Sequence, residues 1–167
     1  MSGLIPKWDA WGLRHATVIN YAICELLISL RQYSMATNRG VALENTATCL
    51  INEPYPIAIR TDAAYHTGEM LGDHYIGPPL LAIYVRESGD YGRRAEDRIA
   101  ARRTDLFTAG TQVVWDVDIV REELVRVYRA NNPNTPHLYV RGDIAHAEPA
   151  LPGWQIPVEQ LFCTPRK

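Results

Sequence analysis

The sequence predicts an α/β fold in which a mixed central sheet is flanked by helices. Apolar residues recur at intervals of three and four between residues 15 and 33, which is the spacing of an amphipathic helix. Residues 80–85 form a nearly continuous apolar run, which is typical of a central strand covered on both faces. A second helical segment and further apolar strands follow that run. The 167 residues have the length of one ordinary domain, so we expect a single domain over 1–167.

The first half of the chain alternates strands with turn signals after the 15–33 helix. Asn38-Arg39-Gly40 ends the helix, and residues 41–51, rich in Thr, Val, Leu and Ala, predict one strand. Residues 57–62 predict a short second strand that ends on Asp62. Glycines and prolines indicate a loop over 65–79, whose His66 and His74 are expected to face solvent.

The second half begins with the 80–85 strand and a turn at Ser88-Gly89-Asp90. A second helix over about 91–108 is closed by Gly110, since glycine commonly ends a helix in the left-handed conformation. The remaining elements are predicted as strands at 112–117, 123–129 and 137–141, and a short strand with a helical turn within 151–162.

The composition excludes some classes of protein. The 17 basic and 19 acidic residues give a net charge of −2, which excludes a polycationic nucleic-acid coat and leaves room for a local basic groove. The basic residues comprise fifteen arginines and two lysines, Lys7 and Lys167. No lysine is therefore present between residues 8 and 166.

Cysteines and termini bear on the compartment. Cys24, Cys49 and Cys163 are odd in number and widely spaced, so they indicate reduced thiols and neither a disulfide framework nor a zinc site. Residues 1–11 lack a signal-peptide pattern, and the most apolar helical stretch, 21–30, is too short to cross a bilayer. We expect a cytoplasmic protein with no membrane partner.

Several short signatures follow one another along the chain. They are His15-Ala16-Thr17-Val18-Ile19, Thr61-Asp62, Ala109-Gly110-Thr111-Gln112-Val113-Val114-Trp115 with Val117-Asp118, Val125-Arg126-Val127-Tyr128-Arg129, and Leu151-Pro152-Gly153-Trp154 with Leu161-Phe162. In this order and spacing, over about 15–162, they resemble the Uma-type family of restriction-endonuclease-like proteins, a branch of the PD-(D/E)XK nuclease superfamily. The resemblance implies a restriction-endonuclease-like fold and metal-dependent hydrolysis of DNA.

The resemblance also implies where a catalytic site would lie. In the superfamily two carboxylates hold Mg²⁺ beside the scissile phosphate, and a lysine assists. Asp62 matches the first carboxylate, but Tyr84 stands at the position of the second. Arg86 stands two residues further on, where the lysine of a (D/E)XK motif would be, and Arg102 stands where the family often has a lysine displaced onto the following helix.

These replacements change what the site can do. Tyrosine is neutral at pH 7 and is a poor ligand for magnesium. Arginine keeps its proton, so it cannot act as a general base, although it can clamp a phosphate with two hydrogen bonds. A site made of Asp62, Tyr84, Arg86 and Arg102 therefore suits binding a phosphate better than cleaving beside it.

Two functions remain open from the sequence. One is a DNA phosphodiester hydrolase in which Mg²⁺ is held by Asp62 together with Glu87, which would need a bulge in the strand, or with Asp90; Glu69 and Asp73 are further candidates. The other is a catalytically inactive nuclease-fold protein that serves as a nucleic-acid-binding or protein-interaction module. DNA is the expected partner, and a homodimer would suit duplex cleavage.

Ordinary structural roles are weighed beside these functional ones. Asp62 could cap a turn, Tyr84 could fill core, and Arg86 could reach solvent from its strand. Arg102 falls on the inward helical stripe with Ala95, Ile99 and Leu106, so it needs either a partner, for which Asp62 is the candidate, or a path along which its charged end reaches solvent. An α/β domain unrelated to nucleic acid is the remaining alternative.

Overall fold

The structure is a computed structural model that describes residues 7–51 and 57–162, with side chains from 16–51 and 58–162. A six-stranded mixed sheet forms the centre of the molecule. The elements in chain order are α1 (Lys7–Thr37), β1 (Val41–Glu44), β2 (Thr48–Ile51), β3 (Ile57–Ile59), β4 (Ala63–His66), β5 (Met70–Leu71), β6 (His74–Ile76), β7 (Leu81–Val85), α2 (Arg93–Ala109), β8 (Val113–Asp118), β9 (Leu124–Arg129), β10 (Asn132–Val140), β11 (Ile144–His146), β12 (Gln155–Pro157) and a 3₁₀ helix (Val158–Leu161).

The central sheet has the order β1-β4-β7-β8-β9-β10. Strands β7 and β8 are parallel, and their register pairs Ile83 with Trp115 and Tyr84 with Asp116. The other neighbours are antiparallel. A parallel pair requires a crossover connection, and α2 supplies it. Two smaller sheets have the orders β3-β2-β6-β5 and β11-β12.

The two helices cover opposite faces of the sheet. Side chains of α1 that are at most 8% exposed, such as Leu26 and Leu30, pack on the face that carries Ile83 and Trp115. On the other face, Leu106 of α2 packs with residues of β7 and β8. Because side chains alternate along a strand, Tyr84, Arg86 and Asp116 all point to the α2 side.

Both predicted helices are present, with different bounds. Helix α1 extends beyond the predicted 15–33 at both ends, and the His15 side chain lies outside the described residues. Helix α2 spans Arg93–Ala109, close to the predicted 91–108. Gly110 closes it as predicted: its φ is 113°, and its N–H points to the carbonyls of Leu106 and Phe107.

The prediction of one strand over 41–51 is wrong. The chain turns at residues 45–47, where the N–H of Ala47 donates to the carbonyl of Glu44 at 3.0 Å. Strand β1 then pairs with β4 in the central sheet, while β2 pairs with β3 and β6 in the small sheet. The two halves of one β-rich stretch therefore belong to different sheets.

The prediction of a loop over 65–79 is also wrong. The segment contains the end of β4 together with β5 and β6. His66 is 1% exposed, contrary to expectation, because its ring is held in place: Nδ1 accepts the N–H of Gly68 at 2.9 Å, and Nε2 lies 3.1 Å from the carbonyl of Gly77. His74 is exposed, as predicted.

The C-terminal elements follow the predicted order. Strand β10 begins at Asn132 and not at 137, because Asn132 pairs with Arg129 before a register shift. The short strand and helical turn predicted within 151–162 are β12 and the 3₁₀ helix. Trp154, 3% exposed, packs in the core at 5.1 Å from Trp115, measured between ring centroids.

Two further predictions concern membrane-crossing helices and the cysteines. Within residues 7–51 and 57–162, no helix combines the length and the hydropathy needed to cross a membrane. Cys24 is exposed, Cys49 is buried, and both are free thiols; Cys163 lies outside the described residues.

Candidate functional site

A cavity of about 500 Å³ opens on the α2 side of the sheet, beside the ends of β4 and β7. It brings together Asp62, Tyr84, Arg86 and Arg102, and also the alternative carboxylates Glu87 and Asp90. Its lining residues are Asn45, Thr46, Arg60, Thr61, Asp62, Tyr84, Val85, Arg86, Glu87, Asp90, Arg98, Ile99, Arg102, Arg103, Val114 and Asp116. This volume lies within the range of about 300–1,000 Å³ that is usual for small-ligand sites.

Asp62 stands immediately before β4, at the edge of the cavity. Its N–H donates to the carbonyl of Ile83 at 3.1 Å, and its Oδ2 accepts the N–H of Val85 at 2.8 Å. Burial raises the pKa of this carboxyl, with a smaller raising effect from the negative charges of Glu87 and Asp90. The Asp62 carboxylate is therefore fixed by β7 while its ionised form is disfavoured.

Tyr84 lines the cavity from the strand next to Asp116, and its side chain packs against the apolar cluster of Ala82, Leu106 and Val114. Its hydroxyl is buried and has no hydrogen-bond partner among the described residues. The guanidinium of Arg102 lies over the phenol ring at 4.8 Å from the centroid. Burial raises the pKa of Tyr84 well above its ordinary value, so the phenol is neutral and cannot replace a carboxylate as a metal ligand.

Arg86 uses all five of its N–H donors within the protein. Nε and Nη2 donate to the two carboxylate oxygens of Asp116 at 2.7 and 2.6 Å. Nη1 and Nη2 donate to Glu96 at 2.5 and 3.0 Å, and Nη1 also donates to the carbonyl of Asp90 at 3.2 Å. A guanidinium has five donors. Arg86 consequently keeps none for a phosphate, and it does not reach solvent, since it is 3% exposed.

The Arg86 network joins the sheet to the start of α2. Asp116 comes from β8 and is 3% exposed, and Arg126 of β9 contributes a second, longer ion pair to it at 3.8 Å. Glu96 lies in the first turn of α2, and its hydrogen bonds from Arg86 lower its pKa. The guanidinium thus neutralises one buried carboxylate and anchors the crossover helix through another.

Arg102 does not make the expected ion pair with Asp62. It is exposed, although Ala95 and Leu106 on the same helical stripe are buried. Its positive charge still lowers the pKa of Asp62, so the two groups share one electrostatic environment. The long side chain stacks on the ring of Tyr84 in a cation–π contact, and its N–H groups form no hydrogen bond with the described residues.

The alternative carboxylates are placed less favourably for a metal. Oδ2 of Asp90 accepts a hydrogen bond from the N–H of Glu87 at 3.0 Å, and Oδ1 accepts one from Nη2 of Arg98 at 3.0 Å. Glu87 lines the cavity with an exposed side chain. Glu69 and Asp73 do not line it.

The residues present do not form the two-carboxylate magnesium site that the resemblance implies. Tyr84 stands at the second position, and both oxygens of neighbouring Asp116 are bound by Arg86. In the part of the chain that the structure describes, no group of three or more His, Cys, Asp or Glu side chains is arranged to hold a metal ion.

Sequence reasoning missed three residues that shape this site. Asp116 interrupts the apolar strand 113–117, and a charged residue in such a run signals a buried partner. Glu96 contacts Arg86, which is ten residues away, and nothing in the local sequence of the helix indicates that contact. Arg60 lines the cavity without forming an ion pair among the described residues, and its sequence context gives no signal.

The mixed sheet, the crossover helix and the cavity at Asp62 together define an α/β protein with a nuclease-like fold. Among solved structures the chain is similar to a protein from Anabaena variabilis ATCC 29413 described as "a putative nuclease belonging to DUF820". The TM-score is 0.69 at 14% sequence identity, covering 87% of this chain and 80% of that one. This likeness confirms the predicted restriction-endonuclease-like fold. No family model matches the sequence, and no curated protein matches it.

Proposed function

We propose that this protein binds DNA in the cavity at Asp62 and has lost the metal-dependent hydrolysis implied by the family that it resembles. The observation that carries the proposal is that some cavity arginines are held by protein carboxylates and others are not. Arg86 is saturated by carboxylates, whereas Arg60 and Arg102 line the cavity without an ion pair among the described residues.

The free arginines support binding of a phosphate. A guanidinium presents paired N–H groups that match two phosphate oxygens, and such charge-assisted bonds are about twice as strong as neutral ones. Arg60 approaches from the chain that precedes β4, and Arg102 approaches from α2. A phosphate in the cavity would therefore meet positive charge from two separate elements.

The fixed residues support the loss of hydrolysis. Two carboxylates are needed to hold Mg²⁺ beside a scissile phosphate in this superfamily, and only Asp62 remains at its position. The nearest strand neighbour with a carboxylate, Asp116, is neutralised by Arg86. Arg86 is better described as a positioning residue than as a catalytic one, because all of its donors face protein groups.

Hydrolysis of DNA with Mg²⁺ is the second candidate, and one observation favours it. Asp62, Glu87 and Asp90 line the same cavity, and the two latter charges act on the pKa of Asp62. Movement of the exposed Glu87 side chain toward Asp62 would assemble a pair of carboxylates. Cleavage of plasmid DNA in Mg²⁺ that requires both Asp62 and Glu87 would favour this function.

Fluorescence anisotropy with labelled DNA tests the binding proposal. We expect Arg60→Gln and Arg102→Gln each to weaken binding and to reduce the slope of log K against log salt by about 1, as for loss of one phosphate contact. Arg94→Gln is the matched control, since Arg94 is exposed on the same helix but does not line the cavity. Equal affinities for all three variants and the wild type would show that DNA does not bind in this cavity.

A further inference from the structure

We infer that β1 pairs with β1 of a second copy of this chain, so that two copies form a twofold-symmetric dimer with one continuous central sheet. Three features support this interface: the open edge of β1, the exposed apolar side chains around it, and the protected edge at the other end of the sheet. The dimer does not depend on the proposed binding of DNA.

Strand β1 is one edge of the central sheet. It pairs with β4 on one side, and no strand of the described residues pairs with it on the other. A groove of about 360 Å³ is lined by Val41, Ala42 and Glu44 of this strand. Because successive side chains of a strand point to opposite faces, a groove that these three residues share lies along the open edge. The unpaired N–H and C=O groups of such an edge are a template for another strand.

Large apolar side chains are exposed around this edge. Met35 is 71% exposed and Val41 is 38% exposed, and both line the groove. Ile28, 51% exposed, lies seven residues before Met35 and therefore on the same face of α1. A group of exposed apolar side chains on one surface indicates a contact with another macromolecule.

The opposite edge of the sheet, at β10, is protected against pairing. It contains Pro133 and Pro136, which have no N–H to donate. The N–H of Val140 donates to Oδ2 of Asp143 at 2.8 Å, so it is also occupied. Strand β1, Val41–Glu44, contains no proline. Of the two edges, β1 is therefore the one that is open to a partner strand.

The charges at the groove favour a second copy as the occupant. Arg31 and Glu44 line the groove with exposed side chains, and neither forms an ion pair among the described residues. In a twofold interface the same surface is present on both copies, and every contact occurs twice with the roles exchanged. Each of these two charges then has its opposite available on the partner, and the two surfaces meet without net repulsion.

Antiparallel pairing of β1 with its copy fixes the arrangement of the dimer. The twofold axis stands perpendicular to the joined sheet, so both copies of α1 lie on one face and bring their outward residues Ile28 and Met35 toward each other. Both cavities at Asp62 open on the other face, which is the α2 side. One DNA duplex can then contact both cavities.

Light scattering coupled to size-exclusion chromatography tests the interface, since a dimer has twice the 18.8 kDa mass of one chain. We expect the wild type to be a dimer. Met35→Lys and Val41→Lys should each weaken association by about tenfold or more, because symmetry places two like charges in one interface. Leu138→Lys is the matched control: its side chain is also apolar and exposed, but it lies on β10 and should leave the dimer intact.

Hydrogen exchange tests the strand pairing itself. At a concentration where the wild type is dimeric, amides within residues 41–44 should exchange more slowly than in Met35→Lys, because the partner strand protects them. Amides within residues 137–140 should exchange at equal rates in the two proteins. Equal exchange over residues 41–44 would contradict the pairing of β1.

Two results would overturn the inferred dimer. One is a wild type that stays monomeric, with a dissociation constant above about 1 mM. The other is a dimer that is lost in Leu138→Lys and kept in Met35→Lys and Val41→Lys, because the interface would then lie at β10. Failure of DNA to bind would overturn the proposed function and leave the dimer in place.

Discussion

The guanidinium of Arg86 and the carboxylate of Asp116 are joined by two hydrogen bonds of 2.7 and 2.6 Å, and both side chains are 4% exposed. Asp116 stands on β8 directly opposite Tyr84 of β7. Its carboxylate therefore lies beside the position where the resemblance implies a second acid, but both of its oxygens are bound by the Arg86 guanidinium. The organic cation and the missing acid at residue 84 together account for the proposed loss of hydrolysis.

Removing Arg86 is expected to destabilise the protein strongly. Arg86→Met would leave the buried Asp116 carboxylate without its main counter-charge, which typically costs about 3–5 kcal/mol in the free energy of unfolding. Urea unfolding measures this cost, with Arg94→Met as the control at an exposed site. A loss below about 1 kcal/mol, the value of a typical surface pair, would show that the network is not integral to the fold.

The buried ring of His66 is expected to require a glycine at residue 68, because it leaves no room for a side chain there. An added Cβ would lie 2.6 Å from Cε1 of His66 and 2.8 Å from the carbonyl oxygen of Ile76, so Gly68→Ala should lower stability by about 1–3 kcal/mol, as overpacking does. Gly89→Ala is a matched control, since a Cβ there meets nothing within 4 Å. Equal thermal midpoints for the two variants would contradict the packing described for His66.

The sequence predicts the fold more completely than it predicts the contacts of the candidate site. Helix α1 has a strongly periodic apolar pattern and the central strand β7 a continuous one, so both can be recognised from their own residues alone. Strands β5 and β6 are two and three residues long within a stretch rich in glycine, so their pairing depends on partners distant in the chain. Arg86 illustrates the same limit, because its partner Asp116 is 30 residues away.

The position of Arg102 could be predicted only in part. The helical spacing correctly predicts that Ala95 and Leu106 are buried, but Arg102 on the same stripe is exposed. Its contact is the aromatic ring of Tyr84 and not the predicted Asp62 carboxylate.

The ionised carboxylate of Asp62 is expected to destabilise the folded protein at neutral pH. Burial raises its pKa in the folded protein, so the unfolded chain ionises first and the folded state is penalised as the pH rises through these values. Asp62→Asn should therefore be more stable at pH 7, by about 0.5–2 kcal/mol as for other replacements of this kind. The difference should disappear below the ordinary carboxyl pKa of about 3.9. Urea unfolding at both pH values measures it, and a less stable variant at pH 7 would contradict the account.

Tyr84→Glu is expected to create an affinity for Mg²⁺ that the wild type lacks. The change adds a carboxylate in the cavity of Asp62, and oxygen ligands of this kind suit the ion. Because a ligand that binds the folded state raises its stability, MgCl₂ should raise the melting temperature of Tyr84→Glu relative to its value in NaCl of equal ionic strength. Tyr84→Phe is the control and should show no such response. A magnesium response in the wild type and in Tyr84→Phe would show that residue 84 does not determine metal binding.

Plasmid cleavage, measured in parallel with DNA binding, tests the central claim most directly. Wild-type protein at a concentration that saturates binding is incubated with supercoiled plasmid in Mg²⁺ or Mn²⁺, beside Asp62→Ala. We expect the wild type to bind DNA and to leave the plasmid supercoiled, and we expect Asp62→Ala to leave it supercoiled as well. Nicking by the wild type that disappears in Asp62→Ala would contradict the claim and establish a working hydrolytic site.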